Sequence, residues 1–283
     1  MGTGTFKIKN MSLAELETAV QWAQQEGWNP GVNDAYCYFY ADPNGFLMGY
    51  LDDEPIATIS VVKYDGGFGF LGFYIVKPEY RGRGYGIKMW HAAMQYLKSC
   101  NIGLDGVVAQ QENYEKSGFN LAYRNIRYEG TGGGDKPHLK NLVPLQDISF
   151  DVLKAYEEKF FPAPRTEFLQ AWIHQPNSYA CGIYEEGKLF ACGVIRPCYT
   201  GYKIAPLYAE SPELAEQMFL ALKSQVPQSS PIYLDVPEVN AAAIALAQKF
   251  RLSAVFETAR MYTGQFPELP LEKVFGVTSF EIG

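Results

Sequence analysis

Between residues 68 and 97 the chain passes from an apolar strand into a glycine-rich turn and then a helix, and few folds accommodate that succession. Phe68 to Val76 is apolar on both sides apart from Gly69 and Gly72, the pattern of a strand buried on both faces of its sheet. Lys77-Pro78-Glu79-Tyr80-Arg81-Gly82-Arg83-Gly84-Tyr85-Gly86 follows, and Trp90, Ala93, Met94 and Leu97 then recur along one helical face. Glycines at alternate positions expose successive backbone N–H groups with no Cβ in a ligand's way. The helix start adds unpaired N–H groups and a partial positive charge. Lys77, Arg81, Arg83 and Lys88 against Glu79 give a local charge of +3 in a chain whose net charge is −7. Those are the requirements of a diphosphate site. The spacing of Gly82, Gly84 and Gly86 does not fit the GxGxxG of a Rossmann turn. No GxxxxGK[ST] loop and no GxSxG elbow occurs, which removes the simplest P-loop nucleotidase and hydrolase readings.

At 283 residues the length fits two domains of about 100–200 residues each. The clearest break is Gly130-Thr131-Gly132-Gly133-Gly134-Asp135-Lys136-Pro137, a poor helix or strand and a good linker. It predicts a domain over 1–130, a glycine-rich linker over 131–137 and a second domain over 138–283. In the first, Ser12 caps a helix with Glu15 at the capping-box position, and strands fall at 46–51, 55–64, 68–76, 102–108 and 120–128. The stretch from Asp34 to Tyr40 is mixed. The second has helices around Leu153, Leu214 and Ala241 to Phe250, and strands at 179–184, 189–195, 203–208, 231–236 and 255–262. The repeated order predicts a duplicated α+β unit.

The acidic charge argues against nucleic acid or an anionic membrane as partner. No apolar run reaches the roughly 18–20 residues of a transmembrane helix. The first twelve residues lack a signal peptide's apolar stretch, and Phe6 stands where a myristoylation motif wants Ser or Thr. Cys37, Cys100, Cys181, Cys192 and Cys198 are odd in number with no CxxC pair, as expected of reduced thiols in a cytoplasmic protein. His91, His138 and His174 lie far apart, so no structural zinc site is expected.

The strand, the Arg81-Gly82-Arg83-Gly84-Tyr85-Gly86 loop and the helix resemble the acetyl-coenzyme A-binding motif of the GNAT superfamily of N-acetyltransferases. Tyr114-Glu115-Lys116-Ser117-Gly118-Phe119 resembles the family's Y-x-K-x-G-F signature. Gly27-Trp28-Asn29-Pro30-Gly31 with Asp34, and Gln110-Gln111-Glu112-Asn113, resemble a subgroup of two-unit members. The resemblance implies a mixed central sheet flanked by helices, duplicated as two similar domains. It implies that Tyr74, Ile75 and Val76 pair with the pantetheine arm, that the N–H groups from Arg81 to Gly86 hold the diphosphate, and that Tyr114 protonates the departing thiolate. A tyrosine of pKa about 10 stays protonated at neutral pH and can serve a thiolate of pKa about 8.5.

Transfer also needs a neutral amine, and freeing an alkylamine of its proton at pH 7 costs about 4–5 kcal/mol in water. Strand 68–76 carries no carboxylate, so Asp34, beside Trp28, is the substrate-side candidate; its alternative is an Asx-type turn residue. Val107 stands where many members have an asparagine seven residues before the tyrosine. In the second unit Asn240 resembles that asparagine, Ala247 replaces the tyrosine, and Ala209-Glu210-Ser211-Pro212-Glu213 replaces the diphosphate loop with two carboxylates and no glycine. That unit is expected not to bind the cofactor, and to shape the acceptor pocket or form a homodimer. The expected activity is direct acetyl transfer from acetyl-coenzyme A to a small-molecule or peptide amine, without a metal. The alternative is a catalytically silent acyl-coenzyme A-sensing module.

Overall fold

The computed structural model describes residues 4–283. Local chemistry starts the first helix where the sequence asks for it: Ser12 Oγ accepts from the Glu15 N–H, and the Glu15 carboxylate accepts from the Ser12 N–H at 2.6 Å. The first half runs β1 (Phe6–Asn10), α1 (Leu13–Gln25), α2 (Asp34–Ala41), β2 (Phe46–Leu51), β3 (Glu54–Tyr64), β4 (Phe68–Val76), α3 (Tyr85–Tyr96), β5 (Asn101–Val107), α4 (Gln111–Lys116) and β6 (Asn120–Thr131). The second runs β7 (Leu142–Pro144), α5 (Phe150–Glu157), α6 (Thr166–Trp172), β8 (Tyr179–Glu185), β9 (Lys188–Pro197), β10 (Tyr202–Ala209), α7 (Pro212–Lys223), β11 (Pro231–Pro237), α8 (Ala241–Lys249), β12 (Ser253–Tyr262) and β13 (Val274–Gly276). From α1 to β6 and from α5 to β12 (β7 aside) the order of helices and strands is the same, which is the duplicated α+β architecture with a mixed sheet and flanking helices.

The halves share one sheet. Among the described residues its order is β1-β2-β3-β4-β5-β12-β6-β11-β10-β9-β8-β7, with β13 against β10. Each half therefore lays its last long strand against the other: β12 pairs β5, and β6 pairs β11. A matched pair of buried ion bridges fixes that exchange. Arg260 of β12 lies opposite Asp105 of β5 and grips its carboxylate at 2.9 and 2.5 Å. Arg127 of β6 lies opposite Asp235 of β11 and grips it at 2.6 and 2.7 Å. Slipping either strand by one residue would turn these charges to the other face, leaving them unpaired inside the protein.

Two expectations change at this level. The mixed stretch after Asp34 is a helix, α2, whose Tyr38 and Cys37 are fully buried against the second half. Gly130 and Thr131 belong to β6, paired with Ile232 and Pro231, and the Gly132 and Gly133 N–H groups donate to Ser230 and Lys223 carbonyls at 2.7 Å.

Pairing between β4 and β5 is parallel and covers only Phe68–Leu71 against Asn101–Leu104. Beyond Leu71 the strands diverge. The cause lies in β4, where Phe73 has φ +42° and the β3–β4 register shifts, with Thr58 Oγ1 donating to the Phe73 carbonyl at 2.8 Å. The equivalent parallel pair in the second half, β10–β11, also ends early, at Ile204–Leu234. There β13 lies against the far part of β10, Leu207 opposite Gly276, and Phe275 is fully buried. The first split in the sheet is open; the second is filled by the protein's own strand.

Candidate active site

The open split is the floor of a cleft of about 680 Å³ lined by Leu71–Val76 of β4, Leu104–Val107 of β5, the turn before α3, and Tyr114. On the edges that face each other neither strand has a ladder partner there, while their outer edges stay paired with β3 and β12. Side chains of β4 alternate: Phe73 and Ile75 are buried, whereas Tyr74 and Val76 are partly open.

The three glycines of the turn do two different jobs. Gly82 and Gly84 have φ of +71° and +82°, which an L side chain adopts at a cost, and a Cβ on either would meet nothing within 4 Å. The space in front of them is free for a ligand. Gly86 lets α3 pack closely on β4: a Cβ there would sit 2.8 Å from the Tyr74 hydroxyl. Gly84 caps α3 without any side-chain hydrogen bond, so the first-turn N–H groups are left to solvent or an anion. Arg81 braces the turn, its Nε donating to the Val76 carbonyl at 2.8 Å and its Nη2 to Glu26, the C-cap of α1, at 2.5 Å. The residues present fit a diphosphate.

Tyr114 sits on the one-and-a-half-turn helix α4, its ring between two neighbours. Trp90 of α3 stacks on it at 5.8 Å with planes 29° apart, and Gly106 of β5 lies against the ring edge. A Cβ on Gly106 would fall 2.3 Å from Tyr114 Cε2, so glycine is the only residue that leaves the ring where it is. Burial, reinforced by the nearby Tyr74 phenol, pushes the Tyr114 hydroxyl up to about 12. The phenol therefore holds its proton throughout the neutral range.

Of the residues expected from sequence, Tyr74, Ile75, Val76, Arg81, Gly82, Gly86, Tyr114 and Trp28 line this cleft. Arg83, Gly84 and Tyr85 are not among the lining residues, and the Arg83 guanidinium lies over the Tyr80 and Tyr85 rings at 5.4 and 5.6 Å. Asp34 does not line it. Its carboxylate is fully buried, gripped by Arg196 of β9 at 2.7 and 2.9 Å, and bonded by the Gly31 N–H at 2.8 Å. Burial alone would raise its pKa, but Arg196 and these bonds outweigh it and hold it below the usual carboxylate range. Asp34 is a structural ion-pair residue joining the two halves, a correction to its expected place beside the acceptor.

Sequence reasoning missed what the second half contributes. Phe256 and Thr258 of β12 and Phe280 and Glu281 of the segment after β13 line the cleft together with Trp28. Residues 277–283 are buried throughout, and Gly72 has no side chain because the Glu281 carbonyl would lie 2.3 Å from its Cβ. Glu281 Oε2 accepts from Ser279 Oγ at 2.6 Å and from Tyr38 at 3.1 Å. Among the described residues, Oε1 has no hydrogen-bond partner. The one signal available in sequence was a lone carboxylate within the otherwise uncharged run Val274 to Ile282.

Comparison with known proteins places this architecture. Residues 13–119 match a family model described as "Acetyltransferase (GNAT) family", and residues 153–276 match another described as "Acetyltransferase (GNAT) domain". The whole chain is 31% identical over 279 residues to a holothin acyltransferase from Pseudoalteromonas sp. (strain SANK 73390), covering 99% of this chain and 95% of that one. The chain belongs to the GNAT acetyltransferase family. It is a tandem GNAT acyltransferase, and GNAT domains in general use acetyl-coenzyme A. A candidate acetyltransferase from Pyrococcus horikoshii has the same fold, with a TM-score of 0.83 at 23% identity over 100% of this chain and 97% of that one. So does a tandem GNAT protein from the clavulanic acid biosynthesis pathway, with a TM-score of 0.64 at 11% identity over 93% and 100% of the two chains. Among the described residues no group of three or more His, Cys, Asp or Glu could hold a metal ion, and no helix is long and apolar enough to cross a membrane.

Proposed function

We propose that this GNAT protein transfers an acetyl or short acyl group from acyl-coenzyme A directly to a primary amine held in the aromatic part of the cleft. The observation that carries the reading is the open β4–β5 split, lined both by a turn with free N–H groups and by a buried phenol. The diphosphate lies on the turn from Arg81 to Gly86 and the pantetheine follows the unpaired backbone of Tyr74, Ile75 and Val76. Tyr114 faces the thioester sulfur. A phenol titrating at about 12 is a weak acid toward a thiolate near 8.5, so its main effect is a hydrogen bond that strengthens as charge builds on sulfur. The second unit binds no cofactor of its own, because β13 fills its split and Glu210 and Glu213 stand at its loop. The relative's name, holothin acyltransferase, supports catalysed acyl transfer rather than a sensing role.

The test follows coenzyme A-thiol release from acetyl-coenzyme A across a panel of amines, for wild type and Tyr114→Phe. The reading expects an amine-dependent signal that falls by about 10²-fold or more in the variant, with coenzyme A binding retained. Binding without turnover on any amine would favour the silent module instead.

A further inference from the structure

We propose that Glu281, brought into the first unit's cleft by the 277–283 segment, receives the acceptor's ammonium and takes its proton. The proposal rests on the acyltransferase reading above and supplies its acceptor side. Every backbone anchor of the segment points to a fixed position. Val277 N–H donates to the Asp235 carbonyl at 2.9 Å, Ser60 Oγ to the Glu281 carbonyl at 2.9 Å, and Tyr64 Oη to the Ile282 carbonyl at 2.8 Å. Glu281 is thereby held beside Gly72, where β4 leaves β5, and lines the cleft with Oε2 tied to Ser279 and Tyr38 and Oε1 without a hydrogen-bond partner among the described residues.

Competing carboxylates are already engaged. Glu26 holds Arg81 at the mouth, and the Asp105 side chain is fully covered and bound by Arg260. Glu281 has no ion-pair partner among the described residues. The charged groups facing it are Arg127 of β6 and Lys203 of β10, which share Asp235, together with Asp105 of β5 and, through Tyr38 of α2, Asp34. A buried carboxylate with a free oxygen, walled by Trp28, Phe256 and Phe280, suits an amine on an apolar or aromatic body.

The step balances. The acceptor's R–NH3+ gives one proton to Glu281 Oε1. The freed lone pair forms the C–N bond at the thioester carbonyl as the C–S bond breaks and its electron pair leaves on sulfur. The nitrogen's second proton ends on sulfur by way of the Tyr114 hydroxyl, which is restored. The proton on Glu281 passes to solvent.

Glu281→Gln tests this with two acceptors, an alkylamine that is protonated at pH 7 and a weakly basic aryl amine that is already neutral. The proposal expects kcat/KM to fall by about 10²-fold for the alkylamine and by less than about 5-fold for the aryl amine, with coenzyme A affinity unchanged. It also expects the variant's alkylamine rate to climb with pH toward the amine's own pKa of about 10.4, because only amine that is already neutral can then react. Equal losses for both amines, or no loss, would overturn it. Ser279→Ala gives an independent arm should the Gln variant fail to fold: it frees Oε2, and the same acceptor dependence at smaller size is expected, while equal losses count against the assignment. If wild type itself fails to bind coenzyme A, the acyltransferase reading falls first, and that result is distinguishable from a failure of Glu281 alone.

Discussion

Replacing Gly106 by alanine should separate chemistry from cofactor binding. The new methyl group would lie 2.3 Å from Tyr114 Cε2 and 2.7 Å from Cδ2. Carbon atoms rest at about 3.5–4.0 Å, so the ring must retreat by more than about 1 Å. Trp90 stacks on the ring and limits where it can go. A displacement of about 1 Å in a positioned catalytic group is worth about 10²-fold in rate. The diphosphate turn is untouched by this change. Gly82→Ala is the converse: its Cβ meets nothing within 4 Å, but φ +71° strains the backbone by about 1–2 kcal/mol at the turn that meets the diphosphate. Steady-state thiol release with calorimetric titration of coenzyme A distinguishes the two. Gly106→Ala should lose about 10²-fold in kcat with Kd within about 3-fold of wild type, whereas Gly82→Ala should raise Kd and spare kcat. Near-wild-type turnover in Gly106→Ala would refute the placement of Tyr114 at the reacting end.

Calorimetry should also return one coenzyme A per chain, since β13 occupies the second split; two sites would contradict that reading. In denaturant titrations Arg260→Met should cost about 3–5 kcal/mol by stranding Asp105, and Arg127→Met should cost less because Lys203 still lies 3.9 Å from Asp235. Burial would raise the Asp235 carboxyl, but Arg127 and Lys203 hold it below the ordinary value. Its contribution is therefore complete above the unfolded pKa of about 3.9 and fades as pH falls through the lower folded one. The stability gap between wild type and Asp235→Asn should close only below about pH 4. Because Tyr114 titrates at about 12, no alkaline fall in kcat traceable to its hydroxyl should occur below about pH 11.

The sequence made the cofactor end legible because its chemistry is local. Gly82, Gly84, Gly86 and the following helix act through backbone within one turn, and Tyr114 lies only eight residues from the Gly106 that makes room for it. The acceptor end is assembled from distant segments. Trp28 and Phe256 line one cleft only because β12 crosses between β5 and β6, and nothing in a single strand's pattern says which neighbour it takes. Asp34 misled for the same reason. Its partner, Arg196, is 162 residues away, and a carboxylate near an aromatic looks the same whether it faces a ligand or a buried guanidinium. The Asp105–Arg260 and Asp235–Arg127 bridges are written twice in the chain, yet only the shared sheet shows that they pair across the halves.

A crystal structure with acetyl-coenzyme A bound is the decisive measurement. The account predicts phosphate density against the main-chain N–H groups from Gly82 to Gly86, and the thioester sulfur within hydrogen-bonding reach of the Tyr114 hydroxyl. A cofactor bound in the second unit, or seated with its sulfur turned away from that hydroxyl, would contradict it.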